Sequence, residues 1–335
     1  MSRSLAQSPL AAMIRVWCLG LSVFLAGPLA AQPVSFGLFG DTPYSGYERE
    51  QLPHMLAAMA REELAFVVHD GDIKNGSSVC SDEVFKDILG VFQASQVPLV
   101  YVPGDNEWTD CHRSNNGGFD PLERLGKLRE LFFAGESSLG QKTIPLERQG
   151  HDSSSPPSSA AYRENVRWQV GGALFVGLNL PGSGNNYRGT GRTGGPVPEF
   201  TERSAANHAW LAQAFALARS KQLAGVLIVI QGDPEFEAAS AGHPKPGYRD
   251  FIAQLREETQ RFAGQVVLVH GDSHHQQINQ PLLDATGREV VKNFTRVETY
   301  GYPFMGWTKG TLDASDPQVF RFSPRPWRAA SAATP

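Results

Sequence analysis

Five short apolar runs, each breaking off at a loop of acids, amides and glycine, constrain this chain more than anything else in it. Val34–Phe39 runs into Gly40-Asp41, Ala65–His69 into Asp70-Gly71-Asp72, and Leu99–Val102 into Pro103-Gly104-Asp105-Asn106-Glu107. Further on, Ala224–Ile230 ends at Gln231-Gly232-Asp233, and Val266–His270 at Gly271-Asp272-Ser273-His274. Runs of this length read as strands. Ala173–Leu178 reads as another. Between them lie helical patterns. Tyr47–Leu64 repeats apolar residues at Leu52, Met55, Leu56 and Met59. Ser81–Ser95 has Ser81 placed as N-cap and Val84, Phe85, Ile88, Leu89 and Phe92 along one face. Pro121–Phe133, Ser204–Lys221 and Tyr248–Phe262 complete the helices. The alternating runs of the tail, Val290 to Phe322, read as antiparallel strands. The order predicts a mixed α/β sandwich in one domain, residues 32–335, with no internal repeat.

The first 31 residues follow different rules. Arg3 and Arg15 precede an apolar run, Val16 to Ala26, and small residues follow as far as Ala31. This is the layout of a secretory signal peptide, with an uncleaved anchor as the alternative, and the run is too short to span a bilayer. No other stretch is long and apolar enough to cross a membrane. The expectation is a bacterial protein, periplasmic or secreted. Cys18 would leave with the leader, and Trp17 before it is not the small residue that lipoprotein processing needs. Cys80 and Cys111 remain, to form the one possible intramolecular bridge or to stay as buried thiols. A formal charge of −4 and the lack of a long basic run argue against nucleic-acid binding.

Two loops carry little regular signal. Residues 150–160 are polar and rich in Pro and Ser. Pro181–Pro198 is glycine-rich, and would cover substrate if it lies beside the site or be a plain insertion if it does not.

In open α/β sheets the carboxyl ends of the strands face one crevice. Five acid-bearing loops would meet there, and like charges at 4 Å repel by about 4 kcal/mol per pair at an intermediate dielectric. A divalent cation is the simplest compensation, and oxygen donors favour Mn, Mg, Ca or Fe over Zn. One Gly-Asp after a strand is ordinary turn chemistry; the recurrence on five strand ends is the signal.

The order of GDTP at Gly40–Pro43, GD at Gly71–Asp72, GDNE at Gly104–Glu107, QGDP at Gln231–Pro234 and GDSH at Gly271–His274 resembles the calcineurin-like metallophosphoesterases. That family's pattern runs D-x-H, GD, GNH(D/E), a lone His and GHxH, on a two-sheet sandwich flanked by helices. The resemblance covers roughly residues 34–275. It makes Asp41 a ligand, Asp72 the bridging ligand and His274 the last histidine. Pro43 replaces a histidine, Asp105 and Asn106 stand for the Asn-His pair, and Asp272 replaces the first histidine of GHxH. Gln231 and Asp233 flank the fourth position. The implied metal set is Asp41, Asp72, Asp105, Gln231, Asp233, Asp272 and His274, for one or two ions. Asn106, His112 and Arg113 are the candidate catalytic groups, the last two as proton donor and phosphate clamp. The resemblance implies hydrolysis of small phosphorylated substrates through a metal-bound hydroxide; the alternative is a non-catalytic metal- or anion-binding protein. Intact-mass measurement of exported protein should return a chain beginning near Gln32, and a full-length mass would overturn the reading of the leader.

Overall fold

Strands buried on both faces show no polar alternation, and that is the pattern of the central runs. The computed structural model describes residue 1, residues 32–150 and residues 162–328. The leader with Cys18, and residues 151–160 of the polar loop, lie outside the described residues.

Twelve strands are described. The first sheet takes β1 (Val34–Phe39), β2 (Val67–His69) and β3 (Leu99–Tyr101), with β11 (Gly306–Leu312) and β12 (Phe320–Pro326), in the order β12-β11-β1-β2-β3. The second takes β4 (Glu147–Arg148), β5 (Val166–Val170), β6 (Ala173–Gly177), β7 (Gly225–Val229), β8 (Gln265–His270), β9 (Gln277–Asn279) and β10 (Phe294–Glu298), in the order β4-β5-β6-β7-β8-β10-β9. β1, β2 and β3 run parallel, as do β6, β7, β8 and β10.

Parallel neighbours need crossovers, and helices supply most of them. α1 (Gly46–Ala60) joins β1 to β2, and α2 (Asp82–Gln93) joins β2 to β3; α3 (Pro121–Phe132) follows on the same side. After β6 come the short turn α4 (Gly182–Asn185) and the long α5 (Pro198–Ser220), then α6 (Phe236–Ser240) and α7 (Arg249–Arg261) between β7 and β8. Side-chain capping starts the early helices. Ser45 accepts from Glu48 N, Ser81 from Val84 N, and Asp120 from both Leu122 N and Glu123 N.

Alternation along each strand then sorts three cores. Phe36, Leu38, Phe66 and Val68 meet Phe175, Leu227, Val229, Val267 and Val269 between the sheets. Phe39 and Val67 face outward onto Leu52, Met55, Phe85 and Phe92 of α1 and α2. Val176, Val226, Ile228 and Leu268 face outward onto Trp210, Leu211 and Phe215 of α5 and Leu255 of α7. Every residue of β7 is buried. The expected two-sheet sandwich flanked by helices is the fold.

Several details differ from the reading of the sequence. α5 begins at Pro198 rather than Ser204, because proline suits the first helical position and Glu199 pairs with Arg203 one turn on, at 2.6 Å. α1 closes at Ala60, and the Leu64 side chain buries beyond its end. Within the tail, β11 and β12 form the expected antiparallel pair, but β10 pairs parallel with β8 and antiparallel only with the short β9. β5 was not anticipated.

Cys80 and Cys111 form a disulfide that ties the segment before α2 to the turn at Thr109–His112. Closing a loop of that length stabilises by roughly 3–4 kcal/mol in the chain-entropy model.

The inter-sheet core is aromatic at its centre. Phe175 lies 5.3 Å from Phe36, 4.9 Å from Phe66 and 5.4 Å from Trp168. Phe175→Ala should therefore cost about 3–5 kcal/mol in urea unfolding. Half-buried Phe322, on the rim of the same core, should cost well under half of that. Equal losses would contradict the placement of the seam.

Candidate functional site

Each parallel strand of the first sheet releases its chain into a loop whose backbone is held by a buried carboxylate. Glu48 accepts from Tyr44 N at 2.6 Å and so fixes the loop after β1. Glu107 Oε1 accepts from Asp72 N (3.1 Å), Gly104 N (2.6 Å) and the Tyr101 hydroxyl (2.7 Å), which locks the loops after β2 and β3 together. In the second sheet Glu298 accepts from Ser273 Oγ (2.7 Å) and His275 N (2.6 Å), holding the loop after β8. Buried His69 joins the first pair of loops as well, with Nε2 2.9 Å from Thr42 O and Nδ1 accepting from Gly71 N.

On this frame the backbone takes left-handed φ at Asp41 (46°), Asp72 (61°), Asp272 (73°) and His274 (61°). Non-glycine residues there carry a cost of about 1–3 kcal/mol each, of the kind concentrated at functional sites. Four such residues turn their side chains toward one another.

Asp41 is at the centre. Its Oδ2 accepts from Asp272 N at 3.0 Å and its Oδ1 lies 3.5 Å from His274 Nε2. Gly271 permits this, since a Cβ there would overlap Asp41 Oδ2. His274 Nδ1 sits 2.8 Å from Tyr302 O, which leaves Nε2 facing the carboxylate. Burial alone would lower the histidine pKa; the hydrogen bond and charge of Asp41 outweigh it and push it up to about 9.

Asp72 forms the second centre. Its Oδ1 accepts from Asn106 N at 3.1 Å, and its Oδ2 meets both Asn106 Nδ2 (2.6 Å) and the Tyr44 hydroxyl (2.5 Å). Tyr44 also reaches Asp41 Oδ1 at 3.4 Å, so its hydroxyl links the two centres. Burial, then Asp105, Glu107 and Asp41, hold the Asp72 carboxyl well above the usual range.

Asp105 and Asp272 are brought close at Gly182, where an added Cβ would lie 2.8 Å from Asp105 Oδ2 and 2.5 Å from Asp272 Oδ1. Burial and then Asp105 push Asp272 up to about 8. Asp105 Oδ2 is also 2.6 Å from Ser183 Oγ, which contacts Asp110 at 3.0 Å. Burial and Asp105 raise Asp110 to about 6.

The remaining expected residues lie around this cluster. Buried Gln231 accepts from Gly182 N at 2.5 Å. Asp233 donates its N–H to Asp272 Oδ2 at 3.1 Å, while its carboxylate accepts from Glu235 N and lies 4.0 Å from His270 Nε2. Arg113 pairs with Asp110 at 2.7 Å and reaches Ser183 at 3.3 Å, which places it on the rim. His112 bonds Thr109 O at 2.8 Å and lines the same cleft.

Sequence reasoning passed over Tyr44, Asp70, Glu107 and Asp110. Tyr44 follows directly on Pro43, the position that lacks the expected histidine. Asp70 and Glu107 lie in the same strand-end loops as the motif aspartates, and only their contacts distinguish them. Asp110 enters through the tight turn after Asn106, which no spacing rule marks.

Asp41, Asp70, Asp72, Asp105, Glu107 and Asp110 are all buried, and Lys74 is the buried cation among them. Among the described residues Asp70 Oδ1 and Glu107 Oε2 have no hydrogen-bond partner. Buried, uncompensated carboxylate oxygen is the donor chemistry of a hard divalent cation. In kind, then, the residues fit one. Yet among the described residues no three His, Cys, Asp or Glu side chains stand grouped as a ready ligand set. Tyr44, Asn106 and Ser183 hold the carboxylates instead.

No family model and no curated protein matches the sequence. Solved structures do match the fold. A dimetal phosphatase from Danio rerio is 16% identical, with 88% of this chain covering 96% of that one at a TM-score of 0.50. PhoD is 13% identical over 85% of this chain and 65% of its own, at 0.54. A purple acid phosphatase from yellow lupin (Lupinus luteus) seeds is 15% identical over 87% and 53%, at 0.51. The chain spans less than two thirds of the length of the last two. With its two sheets, its flanking helices and the ordered strand-end motifs, the protein has the metallophosphoesterase fold, in a form divergent from the calcineurin-like pattern.

Proposed function

We propose that this chain is an exported, metal-dependent phosphoester hydrolase. The observation that carries the reading is the buried carboxylate cluster at the converging strand ends of a metallophosphoesterase fold. Asp41, Asp72, Asp105, Asp272 and His274 would hold one or two divalent ions, with Gln231 and Asp233 beside them. When bound, such an ion offsets the carboxylate charge and polarises a phosphoryl oxygen as a Lewis acid. Mn or Mg suits this oxygen-rich set better than Zn. Among the described residues no helix is long and apolar enough to cross a membrane.

The chain's own residues orient and exclude. Asn106 donates its amide to Asp72 and to the Tyr44 hydroxyl, 2.8 Å away, and so fixes both. Tyr44 keeps its proton at neutral pH, because burial and then Asp72 and Asp41 raise its pKa well above 10. Arg113 and Ser183 offer a guanidinium and a hydroxyl to a phosphoryl oxygen at the rim. The Asn106 amide is too weak an acid to protonate a leaving group, and general acid help is ordinarily worth about 10²–10⁴-fold. Aryl phosphates and phosphodiesters with leaving groups of low pKa need that help least.

A second reading, a protein that binds a metal or anion without turnover, has its own support: Asn106 stands where the resemblance places a histidine, and its amide is committed to Asp72 and Tyr44.

Metal binding is read first by melting. Mn or Mg should raise the melting temperature of chelator-treated protein through mass action on the folded state, and Asp72→Ala should abolish most of the shift. An unchanged melting temperature would remove the metal from the proposal.

Turnover is read separately, on aryl and alkyl phosphoesters with Mn, Mg and Zn. The expected result is hydrolysis favouring aryl esters, faster with Mn or Mg than with Zn, and lowered by about 10²-fold or more in Asp72→Asn. Activity that survives Asp72→Asn would come from another source. Metal binding without hydrolysis of any ester would decide for the second reading.

A further inference from the structure

We infer that the cleft beside the carboxylate cluster receives a second phosphate group of the substrate, and that Arg188 and Arg192 recognise it. The inference rests on the phosphoester reading of the site and adds a substrate class to it: compounds with two phosphate groups in tandem or close together.

The cleft, about 460 Å³, opens between the glycine-rich loop and the turn at Lys245–Gly247. Its volume lies in the range of small-ligand sites. One end is Asp110 and Ser183, and Ser183 Oγ stands 2.6 Å from Asp105. The cleft therefore begins where the cluster ends. Its other walls carry Arg113, Arg188, Arg192 and Lys245.

The balance of charge there is the reverse of that at the cluster. Arg113 is committed to Asp110 at 2.7 Å, and Lys245 to Glu235 at 2.5 Å. Arg188 reaches only a backbone carbonyl, Arg192 O, at 3.5 Å. Among the described residues neither Arg188 nor Arg192 has a carboxylate at ion-pair distance. Two exposed guanidinium groups without counter-charges, on a chain of net charge −4, offer an anion what the cluster cannot. Guanidinium forks match phosphate oxygens in pairs, which favours phosphate over a single-point anion.

The loop that carries them is anchored. Fully buried Arg203 of α5 donates to Asn185 Oδ1 (2.6 Å) and Asn185 O (2.9 Å) at its root. Val197 N returns to Tyr187 O at 3.1 Å, and the Tyr187 ring packs edge-on against Phe200 at 5.0 Å. The glycines lie between these anchors, so the arginines are presented from a held turn. The root of the Pro181–Pro198 loop lies against the cluster, through Gly182 N to Gln231 and Ser183 Oγ to Asp105.

Isothermal calorimetry with two non-hydrolysable probes tests this without any turnover. Methylenediphosphonate carries two phosphate-like groups and methylphosphonate one; each is titrated into the Mn-loaded full chain. Wild type should bind the diphosphonate at least about tenfold more tightly, the scale of one or two charge-assisted hydrogen bonds. Arg188→Ala/Arg192→Ala should erase that preference and leave methylphosphonate affinity within about twofold. Arg188→Lys/Arg192→Lys, which keeps charge and loses the fork, should recover only part of it. Equal affinity for the two probes in wild type, or an equal loss for both in the alanine variant, would overturn the inference. If no ester is hydrolysed yet the arginine-dependent preference is present, the cleft stands and the hydrolase reading falls.

Discussion

Backbone amides accepted by buried carboxylates hold this site in place. Glu48, Glu107 and Glu298 each take N–H groups from strand-end loops, and Glu107 alone takes two from two different loops. A carboxylate without water is stable only when donors replace its solvation, and amide dipoles of fixed loops do so. The same bonds force the loops into turns tight enough that Asp41, Asp72, Asp272 and His274 adopt left-handed backbone. The strain at those four residues is thus offset by hydrogen bonds from their own loops to buried carboxylates. Removing Glu107 would free two loops at once, which makes it structurally more consequential than any single candidate ligand.

The second constraint is charge. The positioning acids and the candidate ligands share a small volume, and burial first, then Asp105, makes Asp72, Asp110 and Asp272 each hold their protons more tightly. Lys74 faces Glu107, Asp72 and Asp105, but burial lowers its own pKa, so its charge is itself costly to keep. One ammonium cannot balance that many acids. Protons, hydrogen bonds from Tyr44 and Ser183, or a divalent cation must do the rest, and the first two weaken as the third binds.

Much of this could be read in the sequence, for a physical reason. Strand ends that converge leave a repeating local mark, so Asp41, Asp72, Asp105 and Asp272 stood out as successive Gly-Asp or Asp-Gly pairs. Ser81 was legible as an N-cap because capping is local. Long-range choices left no such mark. Nothing in FTRVE says that it pairs parallel with β8, since β10 satisfies its ladder through a partner far away in sequence. Pro198 reads equally as the end of a loop and as the first turn of α5, which it is, because proline suits both. Tyr44 has no place in the family pattern, which marks only the histidine replaced by Pro43, yet the hydroxyl one residue later reaches both centres.

The replaced histidines and the unpaired arginines belong to one argument about where charge is handled. Imidazole ligands spare a site negative charge; carboxylates in their place add it, so this cluster repels an anionic substrate more than a histidine-rich one would until a cation is bound. Screening is weak between buried groups, and the repulsion reaches the rim. On the proposed reading, a second phosphate group of the substrate would then meet positive charge outside the cluster, where it does not cancel the carboxylates. Arg113 cannot supply it alone, because Asp110 already holds it at 2.7 Å. Arg188 and Arg192 sit farther out on a loop anchored by Arg203, close enough to line the approach and too far to pair with Asp105. On the proposed reading, an acidic floor with a basic wall would draw in phosphate from one side, and would favour substrates long enough to touch both.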